Sequence, residues 1–165
     1  MAKKSTPIKS PQVEPFIVAL LVNYKLIDER AQMFDSGIKP GETLSVNAQS
    51  TFEVEVGIGT GDDRERMFIV LTAQFFVSRA NKEAIPVAEV TSKHVFNYKI
   101  TRIIGEIGAN AIPMAAIHPY TQMAAIALMA RARELFNRMG LAGIPLKVPD
   151  NFGESALAGR EISKK

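Results

Sequence analysis

The chain has 165 residues, 47% of them hydrophobic, which is enough for one domain with its own core. It contains no cysteine, which excludes disulfides, thiol catalysis and cysteine-ligated zinc. The formal net charge is +3, but the basic residues form small separate groups (Lys3, Lys4 and Lys9; Arg131, Arg133 and Arg138; Lys164 and Lys165), not the single basic face that nucleic-acid binding needs.

Residues 1–15, with lysines, serines and three prolines, predict a flexible leader, leaving 16–165 as a single domain. The apolar run Phe16–Val22 after that basic start sits at the bottom of the signal-peptide range, and no small-residue cleavage site follows it. Phe16–Ile27 is the first predicted strand, with Val18, Leu20, Val22, Tyr24 and Leu26 on one face by the period of two. Residues 35–50 are rich in turn formers and read as a loop. Thr51–Ile58 alternates, Phe52, Val54, Val56 and Ile58 opposing Glu53 and Glu55. Met67–Ser78 is apolar on both faces, the pattern of a strand covered on both sides. Ile85–Ile100 alternates again, with Ala88, Val90, Phe96, Tyr98 and Ile100 on its apolar face.

Gly57, Gly59 and Gly61 hint at a phosphate loop. Such a loop needs a strand before it and a helix N-terminus after it, because the helix end supplies the amide donors. Here a strand follows instead, so residues 59–63 predict a hairpin connection. Gly57 is expected at a bulge, or where another backbone comes close.

Beyond Arg102 the pattern turns helical. Pro113 and Pro119 cannot sit in a straight helix interior without a kink. They predict a short helical piece near 104–117, then a long helix from about Pro119 to Met139 that Gly140 stops. Ile107–Ala130 carries no charge, yet its alanines contribute little to membrane insertion and its prolines and polar residues oppose it. An extended connector follows, and Asp150 or Asn151 caps a short last helix to about residue 163. Four strands and then helices predict an α+β fold with a four-stranded antiparallel sheet, a long helix and a short C-terminal helix.

Candidate chemistry is sparse. His94 and His118 lie in different elements and outside any metal-ligand spacing, and His94 falls on the apolar face of its strand. Asp62, Asp63 and Glu65 read as solvated charges at a hairpin tip. No nucleophile elbow is present. The expectation is no catalytic residue, no metal, no cofactor and no enzyme. What the sequence offers instead is surplus apolar surface. Met67–Ser78 is apolar on both faces, and "MAAIALMA" (Met123–Ala130) is apolar all round where a surface helix shows one stripe. Seven methionines add adaptable side chains. Such a surplus predicts burial in a homo-oligomer, an open groove for other polypeptides, or both.

The order of elements resembles that of SecB-type export chaperones. "HPYTQ" (118–122) resembles the family's aromatic-Pro-Tyr helix start, "ARELF" (132–136) its Ala-Arg-Glu helix segment, and "GIPLKVPDNF" (143–152) its Pro-rich connector. The outline covers about residues 16–160, with motif content over 118–152. In the family the Pro-Tyr and Ala-Arg-Glu elements adjoin, whereas Thr121–Arg131 separate them here. The resemblance implies a cytoplasmic, ATP-independent holding chaperone for protein export, assembled as a pair of dimers, that binds extended unfolded polypeptides. General-export members carry an acidic sheet face that docks the translocation motor SecA. This chain is basic, and its acidic clusters near the strands are Asp28-Glu29 and Glu53-Glu55, so SecA docking does not follow. The charge leans toward family members dedicated to one client, such as those guarding toxin–antitoxin systems. A non-catalytic assembly subunit is the competing reading. The expected client groove comprises Phe52, Val54, Val56 and Ile58, then Phe68 and Phe76, then Phe152 and Leu157 in the last helix. Met123, Ile126 and Met129 are expected at subunit contacts.

Overall fold

The computed structural model describes residues 14–34, 45–59, 65–80, 85–105, 107 and 112–148. Four strands, β1 (Phe16–Met33), β2 (Val46–Ile58), β3 (Arg66–Arg79) and β4 (Pro86–Ile104), precede one helix, α1 (Met114–Arg138). The sheet is antiparallel throughout in the order β1-β4-β3-β2, so β2, β3 and β4 form a meander and β1 closes back beside β4. The α+β architecture predicted from the element order is therefore present. The predicted last helix, with Phe152 and Leu157, lies outside the described residues, as do residues 1–13 of the predicted leader.

The core lies between α1 and one face of the sheet. Met67, Ile69, Leu71, Ala73, Phe75 and Val77 of β3 are fully buried there, beside Val90, Phe96, Tyr98 and Ile100 of β4. α1 lies across β3, β4 and β1. Its buried side sets four alanines (Ala116, Ala124, Ala125 and Ala132) among Ile117, Thr121, Leu128, Met129 and Phe136, and the small side chains let the helix come close to the strands. Ile144 and Leu146 of the following connector complete the same core.

Four sequence expectations are corrected. β1 runs on to Met33, and the register shifts at Leu21/Asn23 and Leu26/Asp28, which leave Val22 and Ile27 unpaired, break its alternation. Leu20 then pairs with Lys99 on one face, while Tyr24 and Leu26 pair with Phe96 and His94 on the other. β2 begins at Val46, inside the predicted loop, because pairing with Phe75–Arg79 outweighs the polar local composition. The outer face of β3, with Phe68, Val70 and Phe76, is only half-buried, since α1 lies on the opposite face. The long helix starts at Met114, so Pro119 lies inside it and Pro113 takes the N-cap position. Pro119 removes the amide that would bond the Ala115 carbonyl. Ala115, His118 and Pro119 are all exposed, where water can satisfy that group, and Thr121 Oγ1 donates to the His118 carbonyl at 3.0 Å.

Gly140 ends the helix as predicted. Its φ is +81°, its amide donates to the Asn137 carbonyl, and the Leu141 amide donates to the Phe136 carbonyl, closing a Schellman cap. Gly57 is neither a bulge nor a close approach. It pairs in register with Phe68, and a Cβ there would meet nothing within 4 Å. Gly57→Val is therefore expected to stabilise the fold by about 0.5–1 kcal/mol, read as a higher urea midpoint at unchanged slope.

Candidate polypeptide-binding surface

Among the described residues, the exposed large apolar side chains gather on two elements, with Ile103 of β4 as the one outlier. On β1 they are Phe16, Leu20, Leu21, Val22, Tyr24, Leu26, Ile27 and Met33; on α1 they are Met123 and Ile126. Only Ile17 of β1 is fully buried. β1 is an edge strand, so one row of its backbone amides and carbonyls has no neighbour in the sheet. A long apolar edge of this kind is a template for another chain. Val22 and Ile27, 64% and 50% exposed, are the residues left unpaired at two of the register shifts.

Three contacts hold this edge to the helix. The Tyr120 hydroxyl accepts from the Ala19 amide at 2.7 Å and donates to the Ile17 carbonyl at 2.8 Å. Its ring meets Tyr98 edge-on at 5.0 Å, and burial, helped by Tyr120, pushes the Tyr98 phenol up to about 12. One helical flank along, the Arg131 guanidinium donates from Nε and Nη2 to both carboxylate oxygens of Glu29, at 2.9 and 2.8 Å. Arg131 Nη1 also reaches Glu134 at 2.7 Å, and Arg138 binds the same Glu134. The hydrogen bonds from Arg131 hold the Glu29 carboxyl below its ordinary range, although burial opposes this. Between these ties, Tyr24, Phe96 and His94 stand with near-parallel rings at centroid spacings of 6.1–6.2 Å.

The Glu29 side chain is only 16% exposed. Arg131→Gln is therefore expected to cost about 1–3 kcal/mol at neutral pH, measured by urea unfolding, because a largely buried carboxylate loses its cation. Glu29 has a depressed folded pKa, so the pair's contribution is present above the ordinary carboxylate range and is lost as pH falls through the folded value. The gap between wild type and variant should close in acid.

The predicted site residues do not converge. Val54 and Val56 are buried at 7% and 6%, on the core side of β2, and offer no surface to a client in this chain. Their alternation marks a core face, not an open edge. Phe52 and Ile58 lie half-buried at the rim of that face, Phe52 meeting Phe75 edge-on at 5.6 Å. Phe68 and Phe76 are half-buried on the opposite face of the sheet. Met123 and Ile126 point outward, 62% and 56% exposed, whereas Met129, at 9%, turns into the core. Met129 falls on the buried stripe with Ala125 and Ala132, which an all-apolar helix sequence cannot reveal. Among the described residues, the acidic side chains of the sheet are interleaved with cations. Glu29 is committed to Arg131, and across the outer face Glu53 pairs with Thr72, Thr72 with Lys93 and Lys93 with Asp28, so opposite charges share one row.

The β1 surface was missed as a site by sequence reasoning. Apolar residues in unbroken runs, Leu20-Leu21-Val22 and Leu26-Ile27, were the available signal, since a one-sided strand would alternate.

Among the described residues, no group of three or more His, Asp or Glu is placed to hold a metal ion, and no helix is long and apolar enough to cross a membrane.

The architecture has a counterpart among solved structures. It superposes on the Mycobacterium tuberculosis Rv1957 SecB-like chaperone, determined in complex with a ChAD peptide from the Rv1956 HigA1 antitoxin, with a TM-score of 0.51. In fold, this chain is similar to a SecB-like chaperone. The match covers 79% of this chain and 89% of the other at 15% identity. No protein-family model and no curated protein sequence matches the chain.

Proposed function

We propose that this chain is an ATP-independent holding chaperone of the SecB-like kind, which keeps extended, unfolded polypeptides from aggregating. The observation that carries this reading is the exposed apolar surface of β1 and α1 among the described residues. Its fold similarity to a chaperone solved with an antitoxin peptide supports the same reading. The protein self-associates through the β1 edge and the outward Met123 and Ile126, as a dimer or a pair of dimers. A client lies against what assembly leaves open on the outer sheet face, where Phe68 and Phe76 are half-buried, whereas Phe52 and Ile58 belong to the rim of the core face; Phe152 and Leu157 lie outside the described residues. Each client side chain fully buried there contributes about 1.5–3 kcal/mol, so a few offset the cost of ordering the segment.

A client dedicated to this chaperone, such as an antitoxin, fits better than general export. Among the described residues of the outer sheet face, Lys93 pairs with Asp28 and shares a row with Glu53, a mixed charge that speaks against a SecA dock. The protein acts in the cytoplasm and needs no cofactor. The purified protein, without nucleotide, is expected to delay aggregation of its client on dilution from denaturant. A dedicated chaperone protects the partner recovered by pull-down from the native host and not an unrelated unfolded protein; a general one protects both. Protection of neither would leave the competing reading, a non-catalytic assembly subunit.

A further inference from the structure

His94 stands in the middle of β4 on the face toward α1, 7% exposed. Its Nε2 lies 2.8 Å from the hydroxyl of Ser92, which is also buried. Its Nδ1 is buried and has no hydrogen-bond partner among the described residues. The groups around it offer none. On β1, Tyr24 stacks alongside the ring and Leu26 pairs with His94; on β3 the paired residue is Leu71, and its neighbours on that face, Ile69 and Ala73, carry no charge. The charged groups nearest to it are Glu29 of β1 and Arg131 of α1, and both Glu29 oxygens are already taken by Arg131. Glu134 and Arg138 belong to the same ion cluster on α1.

A neutral imidazole fits this setting, because one nitrogen shares a proton with Ser92 and the other stays bare or weakly engaged. A doubly protonated ring does not. It would bury a second N–H without an acceptor and set a positive charge near Arg131. Tyr24 is 64% exposed and Leu26 42%, so the β1 side of the ring is the thinner wall. We propose that His94 is a proton-operated release for edge strand β1: proton uptake is accommodated by the Tyr24–Leu26 stretch lifting from β4, which wets the ring and uncovers Phe96. Three features make that stretch the one to yield. It is flanked by register shifts on both sides, its outer backbone row is unpaired, and its ties to the helix lie beyond it, at Tyr120 and Arg131.

The direction of the effect follows from linkage. Burial holds the His94 pKa down, Glu29 draws it up and Arg131 lowers it further. Above the ordinary histidine range, closed and open states are both neutral and pH has no effect. As pH falls below about 6.5 the open state takes up a proton that the closed state refuses. The opening constant then grows by up to about tenfold per pH unit, until the closed state is protonated too. The device does not depend on the chaperone reading.

The test uses the whole chain, which has only two histidines. Imidazole NMR follows His94, and hydrogen exchange, corrected for intrinsic pH dependence, follows the amides of Lys25, Leu26 and Ile27. The expected result is that His94 titrates below the ordinary histidine value of about 6.5, and that exchange protection on these amides falls with acid up to the one-proton slope. His94→Phe should remove that pH dependence. Titration of His94 at or above the ordinary histidine value in the wild type overturns the proposal, whether or not the variant folds. So does an equal acid response in a folded His94→Phe.

Discussion

Phe136→Ala is expected to remove about 3–5 kcal/mol of stability, the usual range for truncating a fully buried aromatic residue. Phe136 is 0% exposed and is the only large aromatic side chain on the buried stripe of α1, which is otherwise built of alanines with Ile117, Thr121, Leu128 and Met129. The alanines set a close helix–sheet distance but bury little area each, so the attachment of the helix rests on a few large side chains. The site is also rigid. The Schellman cap at Gly140 draws on the Phe136 carbonyl itself, so the last turn cannot easily settle into the cavity. Domains of this size have about 5–15 kcal/mol in total, so the loss should be plain in a urea titration as a large fall in midpoint at similar slope. A change below about 1 kcal/mol would mean that α1 does not cover the sheet as described.

The second large effect is on assembly, not on the subunit. Val22→Asp with Ile27→Asp places two carboxylates at the unpaired bulge positions of the exposed edge. Neither side chain belongs to the core, so the subunit's own stability should move by no more than about 0.5 kcal/mol per site. If β1 is where copies meet, each substitution loses about 1.5–3 kcal/mol of apolar burial and adds the cost of desolvating a charge. Together that weakens association by at least on the order of a hundredfold. Sedimentation should show a subunit that melts normally but no longer associates. An unchanged oligomer would place the subunit contact elsewhere, and the outward Met123 and Ile126 of α1 would be the next residues to substitute.

Much of the fold was legible in the sequence. The alternation in β2 and β4 and the helix stop at Gly140 each report a local physical requirement and stand in the structure; the continuous apolar run of β3 marks a strand there too, but one whose outer face is only half-buried. What was not legible depends on neighbours. Nothing in Phe16–Met33 says that it closes the sheet beside β4 with one side open, because strand order is a property of the whole chain. Its bulges shift the period of two, so a face read from spacing alone mixed Leu20 with Tyr24 and Leu26. Pro119 was read as a helix start because the loss of its amide is costly inside a buried helix, yet it falls on the wet side, where the cost is small. The candidate groove suffered from the same limit. An alternating apolar stripe such as Phe52–Ile58 has one appearance whether it faces a core or a client, and the structure puts Val54 and Val56 in the core.

Sedimentation velocity of the purified protein, with a fluorescently labelled unfolded client and no nucleotide, tests most directly whether exposed apolar surface is there to bind other chains. The prediction is an oligomer with labelled polypeptide travelling in the same boundary. A single-subunit species that leaves the label behind, with the native client as with any other, would contradict it.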